Sequence, residues 1–182
     1  MKHQALLLLV SALLLGCTAD DDVTVDDRYN VDIRWTSYGI PHVKADDWGS
    51  LGYGFAYATA TDGVCVFARE VVRANGTLSA DFGESDENLA SDTFYRALVT
   101  PERVMKNAAA MSKNMRAYGA GFVAGYNRFI NDHRQNLPAA CAGEKWVRPI
   151  SELELGRMFI AFGIHYGTGN FTAGIAAAAP PG

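Results

Sequence analysis

A run of small residues from Ser50 to Ala74 places the tightest constraint on how this chain can fold. Residues at helical spacing along it fall on one face: Leu51, Phe55, Ala58, Asp62, Cys65, Arg69 and Val72. Asp46 and Asp47 can cap the start of this helix, and Asn75-Gly76 can end it. Glycines 52, 54 and 63 each cost a helix up to about 1 kcal/mol relative to alanine. We therefore expect this helix to be buried against the backbone of other elements.

A short hairpin is predicted before this helix. Val31 to Thr36 alternates apolar and polar residues, as a strand does, and Ser37 to Pro41 interrupts the pattern. His42 to Ala45 is predicted to be the second strand. Pro41 has no N–H to donate, so it belongs at the end or the edge of a strand.

Two further helices are predicted after a loop over 78–88. Thr100-Pro101-Glu102 is typical of a helix start. Apolar residues at alternating spacings of three and four then run to Phe129, which predicts one long helix with a core-facing stripe and a break near Gly119 to Gly121. The stripe comprises Val104, Ala108, Met111, Met115, Tyr118, Phe122, Gly125 and Phe129. Ile150-Ser151-Glu152 is predicted to open a last helix that ends at Gly167. The predicted order is one hairpin followed by helices.

The N-terminus has the composition of a secretory segment. Lys2 and His3 precede an apolar stretch that ends in Leu14-Leu15-Gly16-Cys17. Residues 1–17 are therefore interpreted as a signal peptide whose end is similar to a bacterial lipobox, with Cys17 as the lipidated residue. A plain signal peptide and a membrane anchor are the alternatives. Residues 18–30, which contain Asp20-Asp21-Asp22, are interpreted as an acidic tether.

The other two cysteines, Cys65 and Cys141, are expected to form a disulfide in an oxidising compartment, with two buried thiols as the alternative. The four histidines are scattered, so no metal site and no cofactor are predicted. The net charge of −4 gives no indication of nucleic-acid binding. Contact with a membrane is expected only through the lipid anchor.

Several segments resemble the penicillin acylase family. Residues 33–43 are similar to the opening strand of these enzymes, and Asp47 with residues 51–62 is similar to their first helix. Phe82-Gly83 stands where the family has the same pair. Residues 88–95, 120–129 and 177–182 resemble more specifically the acyl-homoserine-lactone acylases and the related aculeacin acylases. The resemblance runs from about Val31 to the C-terminus.

The resemblance implies an α+β fold of the N-terminal-nucleophile type, with four layers in the order αββα. Residues 31–182 would be the small (alpha) subunit, which supplies mainly helices and an N-terminal edge hairpin. In this family a precursor cleaves itself, and the α-amine of a Ser at the start of the large (beta) chain activates the Ser hydroxyl. The resemblance therefore implies a large chain of the same precursor as partner, and no catalytic residue in the present chain.

The resemblance also implies that the last helix lines an acyl pocket. The matching positions are Phe159, Phe162, Gly163 and Tyr166, whose spacing of three and four predicts a single face. Ordinary core packing is the alternative for these four residues, and it is the preferred interpretation of His165. In the penicillin-selective branch an Arg-Phe pair ends this helix, where Tyr166-Gly167 stands here, and a calcium-binding Glu follows it. Residues 168–174 contain no acid.

Asp62, Arg69 and Glu70 are interpreted as buried ion-pairing residues rather than as catalytic groups. The function implied is hydrolysis of the acyl amide of N-acyl-homoserine lactones, an acylated small-molecule substrate, by a secreted bacterial enzyme. Its expected location is the periplasm or the outer membrane. A β-lactam or cyclic-lipopeptide acylase is the first alternative, and a truncated or non-enzymatic surface lipoprotein is the second.

Overall fold

The computed structural model describes residues 27–179. The predicted signal peptide 1–17 with Cys17, most of the tether 18–30, and Pro180 to Gly182 lie outside the described residues. Two strands, β1 (Val31–Trp35) and β2 (Pro41–Ala45), pair antiparallel with Ile33 opposite Val43. The predicted hairpin is therefore present, and among the described residues it forms a sheet of two strands.

The long helix α1 (Trp48–Asn75) begins and ends where the sequence predicted. Asp47 caps it by accepting hydrogen bonds from the Ser50 N–H at 2.9 Å and the Ser50 hydroxyl at 2.6 Å. The same hydroxyl accepts a hydrogen bond from the Asn30 N–H at 3.0 Å and so ties the end of the tether to the helix. Gly63 has non-helical dihedral angles and kinks the helix, and Gly76 ends it in the left-handed conformation.

Helix α5 (Lys113–His133) packs along α1 at a distance that only glycine permits. A methyl group at Gly121 would overlap the carbonyl oxygen of Gly49, and one at Gly52 would overlap that of Tyr118. The expected burial of the glycine-rich helix against other backbone is confirmed. Aromatic side chains fill the space on one side of this seam, where the rings of Phe67 and Tyr126 lie 4.7 Å apart.

The prediction of a loop over 78–88 is wrong. The segment contains α2 (Leu78–Phe82) and the start of α3 (Asp86–Leu98). Asp92 of α3 accepts hydrogen bonds from the backbone N–H groups of Leu78 at 2.7 Å and Ser79 at 2.9 Å. Asp92 therefore satisfies the free N–H groups in the first turn of α2. Because Asp92 belongs to the next helix, the sequence of residues 78–88 alone does not reveal this contact.

The predicted helix from Thr100 to Phe129 is two helices, α4 (Pro101–Ala110) and α5. The break lies at Met111 and Ser112, and the chain is helical through Gly119 to Gly121, where a break was expected. Ser112 takes an extended conformation and its side chain accepts a hydrogen bond from the Met115 N–H, which starts α5. The apolar spacing continues across the break, which is why periodicity alone predicted a single helix.

The last long helix is α6 (Glu152–His165). Ser151 and Glu154 form a capping box at its N-terminus, as a Ser-x-x-Glu sequence can. A 3-10 turn (Thr168–Phe171) and a short helix α7 (Thr172–Ala176) follow, and α7 contacts α3. No helix within residues 27–179 combines the length and the apolarity that a membrane span requires.

Candidate functional site

An open apolar groove runs between α4, the start of α5 and α6. Its volume is about 580 Å³. Both walls are mainly aliphatic and aromatic, and the groove is lined by Val104, Met105, Asn107, Ala108, Met111, Met115, Arg116, Gly119, Ala120, Glu152, Leu153, Leu155, Gly156, Phe159, Ile160, Gly163 and Ile164. Arg116 and Glu152 are its two charged residues. A groove of this size and character fits an extended hydrocarbon chain.

Two glycines of α6 give the groove its shape. A methyl group at Gly156 would overlap the side chain of Val104, so α4 and α6 approach as closely as glycine allows at that point. Seven residues later, a methyl group at Gly163 would meet nothing within 4 Å. The groove is therefore closed by contact at Gly156 and open at Gly163. Phe159 lies between them and is 39% exposed.

The structure divides the four predicted pocket residues between different surfaces. Phe159 and Gly163 line the groove, whereas Phe162 lies in a small cleft with Glu70 and Arg73 of α1. Tyr166 follows the end of α6 and is 85% exposed. The four residues lie on one side of α6, within an arc of about 100°, and Phe162 is at the edge of that side next to α1. Their role in an acyl pocket stays a prediction.

Other residues singled out in the sequence also lie outside the groove. The rings of His165 and Tyr166 are 5.4 Å apart. Asp62 and Arg69 are exposed, so the expectation that they are buried is wrong. The guanidinium of Arg69 lies 5.1 Å from the centre of the Phe82 ring, and Glu70 pairs with Arg73 one helical turn away.

The stripe on α4 and α5 was interpreted as core, and part of it is not. Val104 is buried, but Ala108, Met111 and Met115 form the groove wall that faces α6. Met115 is 45% exposed. Three methionines within residues 105–115 were the signal in the sequence, because this flexible side chain is common at adaptable apolar binding surfaces.

A polar cluster holds the N-terminus of α6. Glu154 accepts hydrogen bonds from the Asn75 side chain at 2.9 Å, from Arg148 at 2.6 Å and from the Ser151 N–H at 2.9 Å. Arg157 donates a hydrogen bond to the amide oxygen of Asn75 at 2.9 Å. Burial raises the pKa of Glu154, but the hydrogen bonds from Arg148 and Ser151 outweigh burial and lower the pKa to about 2.

Two further contacts fix the loop that leads into α6. Asn127 of α5 donates to the Ile150 carbonyl at 2.9 Å and accepts from the Ile150 N–H at 2.7 Å. Cys141 in the same loop forms a disulfide with Cys65 of α1, with 5.6 Å between their Cα atoms. The position of α6, and with it one wall of the groove, is therefore set by α1, α5 and this loop.

The lining of the groove is mainly apolar, and its one carboxylate is Glu152. None of its lining residues is Ser, Thr, Cys, His or Lys. Within the described part of the chain, no three His, Cys, Asp or Glu side chains are grouped as metal ligands would be.

Comparison with known proteins decides the family. The family model of penicillin amidase matches residues 30–171. The chain belongs to the penicillin amidase family. The family expected from the sequence is thereby confirmed.

Relatives include acylases of two named kinds. The chain is 39% identical over 163 residues to the acyl-homoserine lactone acylase PvdQ of Pseudomonas fluorescens, a match that covers 86% of this chain and 21% of the relative. It is 40% identical over 168 residues to the aculeacin-A acylase of Actinoplanes utahensis, and this match also covers 86% of this chain and 21% of the relative. The chain thus spans about a fifth of the length of these relatives.

Among solved structures, the fold matches a chain of the thermostable penicillin G acylase from Alcaligenes faecalis. The TM-score is 0.67 at 27% sequence identity, and the match covers 77% of this chain and 75% of that one. The predicted fold class is confirmed: this is a mainly helical chain with a two-stranded sheet, as in an α+β penicillin acylase of the N-terminal-nucleophile type.

Proposed function

We propose that this chain is the small subunit of a two-chain amide hydrolase that cleaves the acyl amide of N-acyl-homoserine lactones. The observation that carries the proposal is an apolar groove suited to an acyl tail and lined by no Ser, Thr, Cys, His or Lys side chain. Such a surface binds one half of a substrate and leaves the chemistry to another polypeptide. An N-terminal Ser of a large chain would supply the attacking hydroxyl and the base.

Chain lengths support a second polypeptide. Acylase relatives are about five times longer than the part of them that this chain matches. The matched penicillin G acylase chain, in contrast, is nearly equal in length to this one, since the shared region covers 77% of one and 75% of the other. Both facts agree with a precursor that is divided into a chain of this size and a larger one.

Exposed apolar side chains support the same proposal. At the hairpin, Tyr38 is 91% exposed and Ile40 is 58% exposed, and at the other end of the chain Phe171 is 69% exposed. Tyr38 and Ile40 are two residues apart in the hairpin, and neighbouring exposed apolar side chains of this size are typical of a contact surface. We assign these surfaces to the large chain, and Phe162 and Tyr166 to its border with the acyl pocket.

Groove size favours a long acyl tail. Each buried methylene contributes about 0.8 kcal/mol, so an apolar groove selects long chains over short ones before any polar contact is made. The open space at Gly163 leaves room for the tail to continue past Phe159.

A lipopeptide acylase is the second candidate, because the aculeacin-A acylase is as similar in sequence as the lactone acylases. A β-lactam acylase receives less support, since Tyr166-Gly167 stands where the penicillin-selective branch has Arg-Phe. A non-enzymatic surface lipoprotein would retain the groove but lack a large chain. We place the enzyme in the periplasm or at the outer membrane, with Cys17 as the lipid anchor.

The proposal is tested by expressing the gene together with the DNA that follows codon 182. We expect an open frame that encodes a spacer and a large chain starting with Ser. The purified two-chain product should hydrolyse long-chain N-acyl-homoserine lactones faster than penicillin G or aculeacin A. Cleavage of penicillin G alone would refute the substrate assignment, and a stop codon directly after Gly182 would favour the non-enzymatic lipoprotein.

A further inference from the structure

The polar cluster at the start of α6 lies outside the groove yet fixes the wall that bounds it. Glu154 is three residues into α6 and its side chain is 16% exposed. Through Asn75, the last residue of α1, it joins the ends of two helices that are distant in sequence, and Arg157 holds the Asn75 amide from the other side. The hydrogen bond between Asn75 and Glu154 is thus the direct side-chain link between the end of α1 and the first turn of α6.

The position of α6 determines the width of the groove. Two residues after Glu154, Gly156 contacts Val104 of α4 as closely as a residue without a Cβ can. Beyond that contact the helix has space beside it, with nothing within 4 Å of a methyl group at Gly163. On its other side α6 is held by the core, where Met158 and Ala161 are buried. A shift at the start of α6 therefore alters the groove at its open side, where Phe159 and Gly163 lack such packing.

We infer that the Asn75–Glu154 hydrogen bond is a positioning contact that sets the acyl-chain length accepted by the groove. The inference rests on the proposed function, because it concerns the acyl tail of that enzyme's substrate. Neither residue lines the groove, so both act through the placement of α6. Loosening the bond should widen the open end and remove contacts from the distal part of a long tail, while a short tail that lies near Gly156 keeps its contacts.

The two residues allow a test by exchange. In Asn75→Asp, two carboxylates face each other. In Glu154→Gln, one carboxylate oxygen becomes an NH2 group, so the side chain can no longer accept from both Asn75 and the Ser151 N–H. The double variant Asn75→Asp/Glu154→Gln restores a donor and an acceptor in reversed positions. The new amide at position 154 can donate to the new carboxylate at position 75, and that carboxylate can still accept from Arg157.

A matched control changes a nearby carboxylate that is not part of the cluster. Glu144 lies in the loop before α6 and accepts a hydrogen bond from the Trp146 side chain at 3.2 Å. The variant Glu144→Gln therefore removes the same charge as Glu154→Gln without changing the contact between α1 and α6.

The measurement is kcat/KM of the processed two-chain enzyme for a series of N-acyl-homoserine lactones with short to long acyl chains. We expect each single variant to lower the ratio of long-chain to short-chain kcat/KM by about tenfold, the loss of contact with about two methylene groups. The change should lie in KM for the long chains, and kcat for short chains should stay the same. The double variant should recover most of the ratio, and Glu144→Gln should leave it unchanged.

Thermal unfolding of the same preparations distinguishes a loss of stability from a change in the position of α6. A lower melting temperature with an unchanged chain-length ratio in both single variants would overturn the inference. A changed ratio that the double variant does not recover would overturn the assignment to this hydrogen bond. Failure of the wild-type enzyme to hydrolyse any acyl amide would instead refute the proposed function. In that case the binding of fatty acids of different chain lengths is measured without turnover. If the variants bind them with the same chain-length preference as the wild type, the positioning role is refuted as well.

Discussion

Gly125 of α5 lies directly against Tyr53 of α1, so closely that a methyl group at Gly125 would overlap the Tyr53 carbonyl oxygen. The neighbouring obstacle is backbone rather than the end of a flexible side chain, so it cannot turn away. Gly121 and Gly49 stand in the same relationship one turn earlier. The contact between α1 and α5, the two longest helices of the described chain, therefore depends on glycine at positions 121 and 125.

Replacing Gly125 with Ala is expected to destabilise the protein by about 1–3 kcal/mol, because α5 has to move away from α1. Gly119→Ala is the matched control on the same helix, since its added methyl group would lie 3.9 Å from Leu155, an ordinary contact. That variant should gain stability by about 0.5–1 kcal/mol, as alanine does in a helix. Urea unfolding measures the free energy of unfolding of both variants, and equal effects would contradict the close approach.

The Cys65–Cys141 disulfide spans 76 residues and joins α1 to the loop before α6. Replacing both cysteines with Ala is expected to cost about 2–4 kcal/mol, mainly because the unfolded chain is no longer constrained. Melting temperature with and without dithiothreitol provides the check. The wild type should melt lower under reduction, and the double variant should melt at the same temperature in both buffers.

Acid should weaken the anchor of α6. The folded pKa of Glu154 is about 2, below the value of about 4.3 expected in an unfolded chain. A lowered folded pKa contributes stability that is present above about pH 4.3 and is lost as the pH falls towards about 2. We expect this contribution to the free energy of unfolding to be about 1 kcal/mol, because the partner Arg148 is half exposed and solvent screens the ion pair. Wild type and Glu154→Gln should therefore converge in stability between about pH 5 and about pH 2. A constant difference across that range would refute this assignment.

On the proposed function, the variant Gly163→Leu should shorten the acyl chain that the enzyme prefers. The space beside Gly163 accepts the added side chain without a clash inside this chain, and the side chain then occupies the open end of the groove. Activity on long-chain substrates should fall about tenfold or more, while activity on short-chain substrates is retained. Gly174→Leu is the control, because Gly174 in α7 also has no atom within 4 Å of an added methyl group but does not line the groove.

Local chemistry in the sequence predicted several elements closely. Asp47 and Gly76 bound α1 as expected, Ser151 starts α6, and the glycines of the first helix correctly indicated close packing. These features depend on side-chain to backbone contacts within a few residues, or on the absence of a Cβ, and both can be read from sequence.

Features that depend on distant partners were missed. Helix α2 requires Asp92 of α3 for its first turn, and the break at Ser112 is hidden by an apolar spacing that continues through it. For the groove, helical spacing selected Phe159 and Gly163, which line it, whereas the cleft beside α1 that contains Phe162 depends on a distant helix and has no local signal. The cluster of Asn75, Arg148, Glu154 and Arg157 joins residues up to 82 positions apart and gives no local signal.

The hairpin also bears on how the protein can be produced. Within residues 27–179 its two strands pair only with each other, so the outer edge of each presents unpaired backbone donors and acceptors. Such edges recruit any strand that they meet, including the same hairpin of another molecule. Recombinant residues 27–179 produced alone are therefore expected to aggregate through these edges. On the proposed function, co-expression with the large chain should give more soluble protein than later mixing of separate chains.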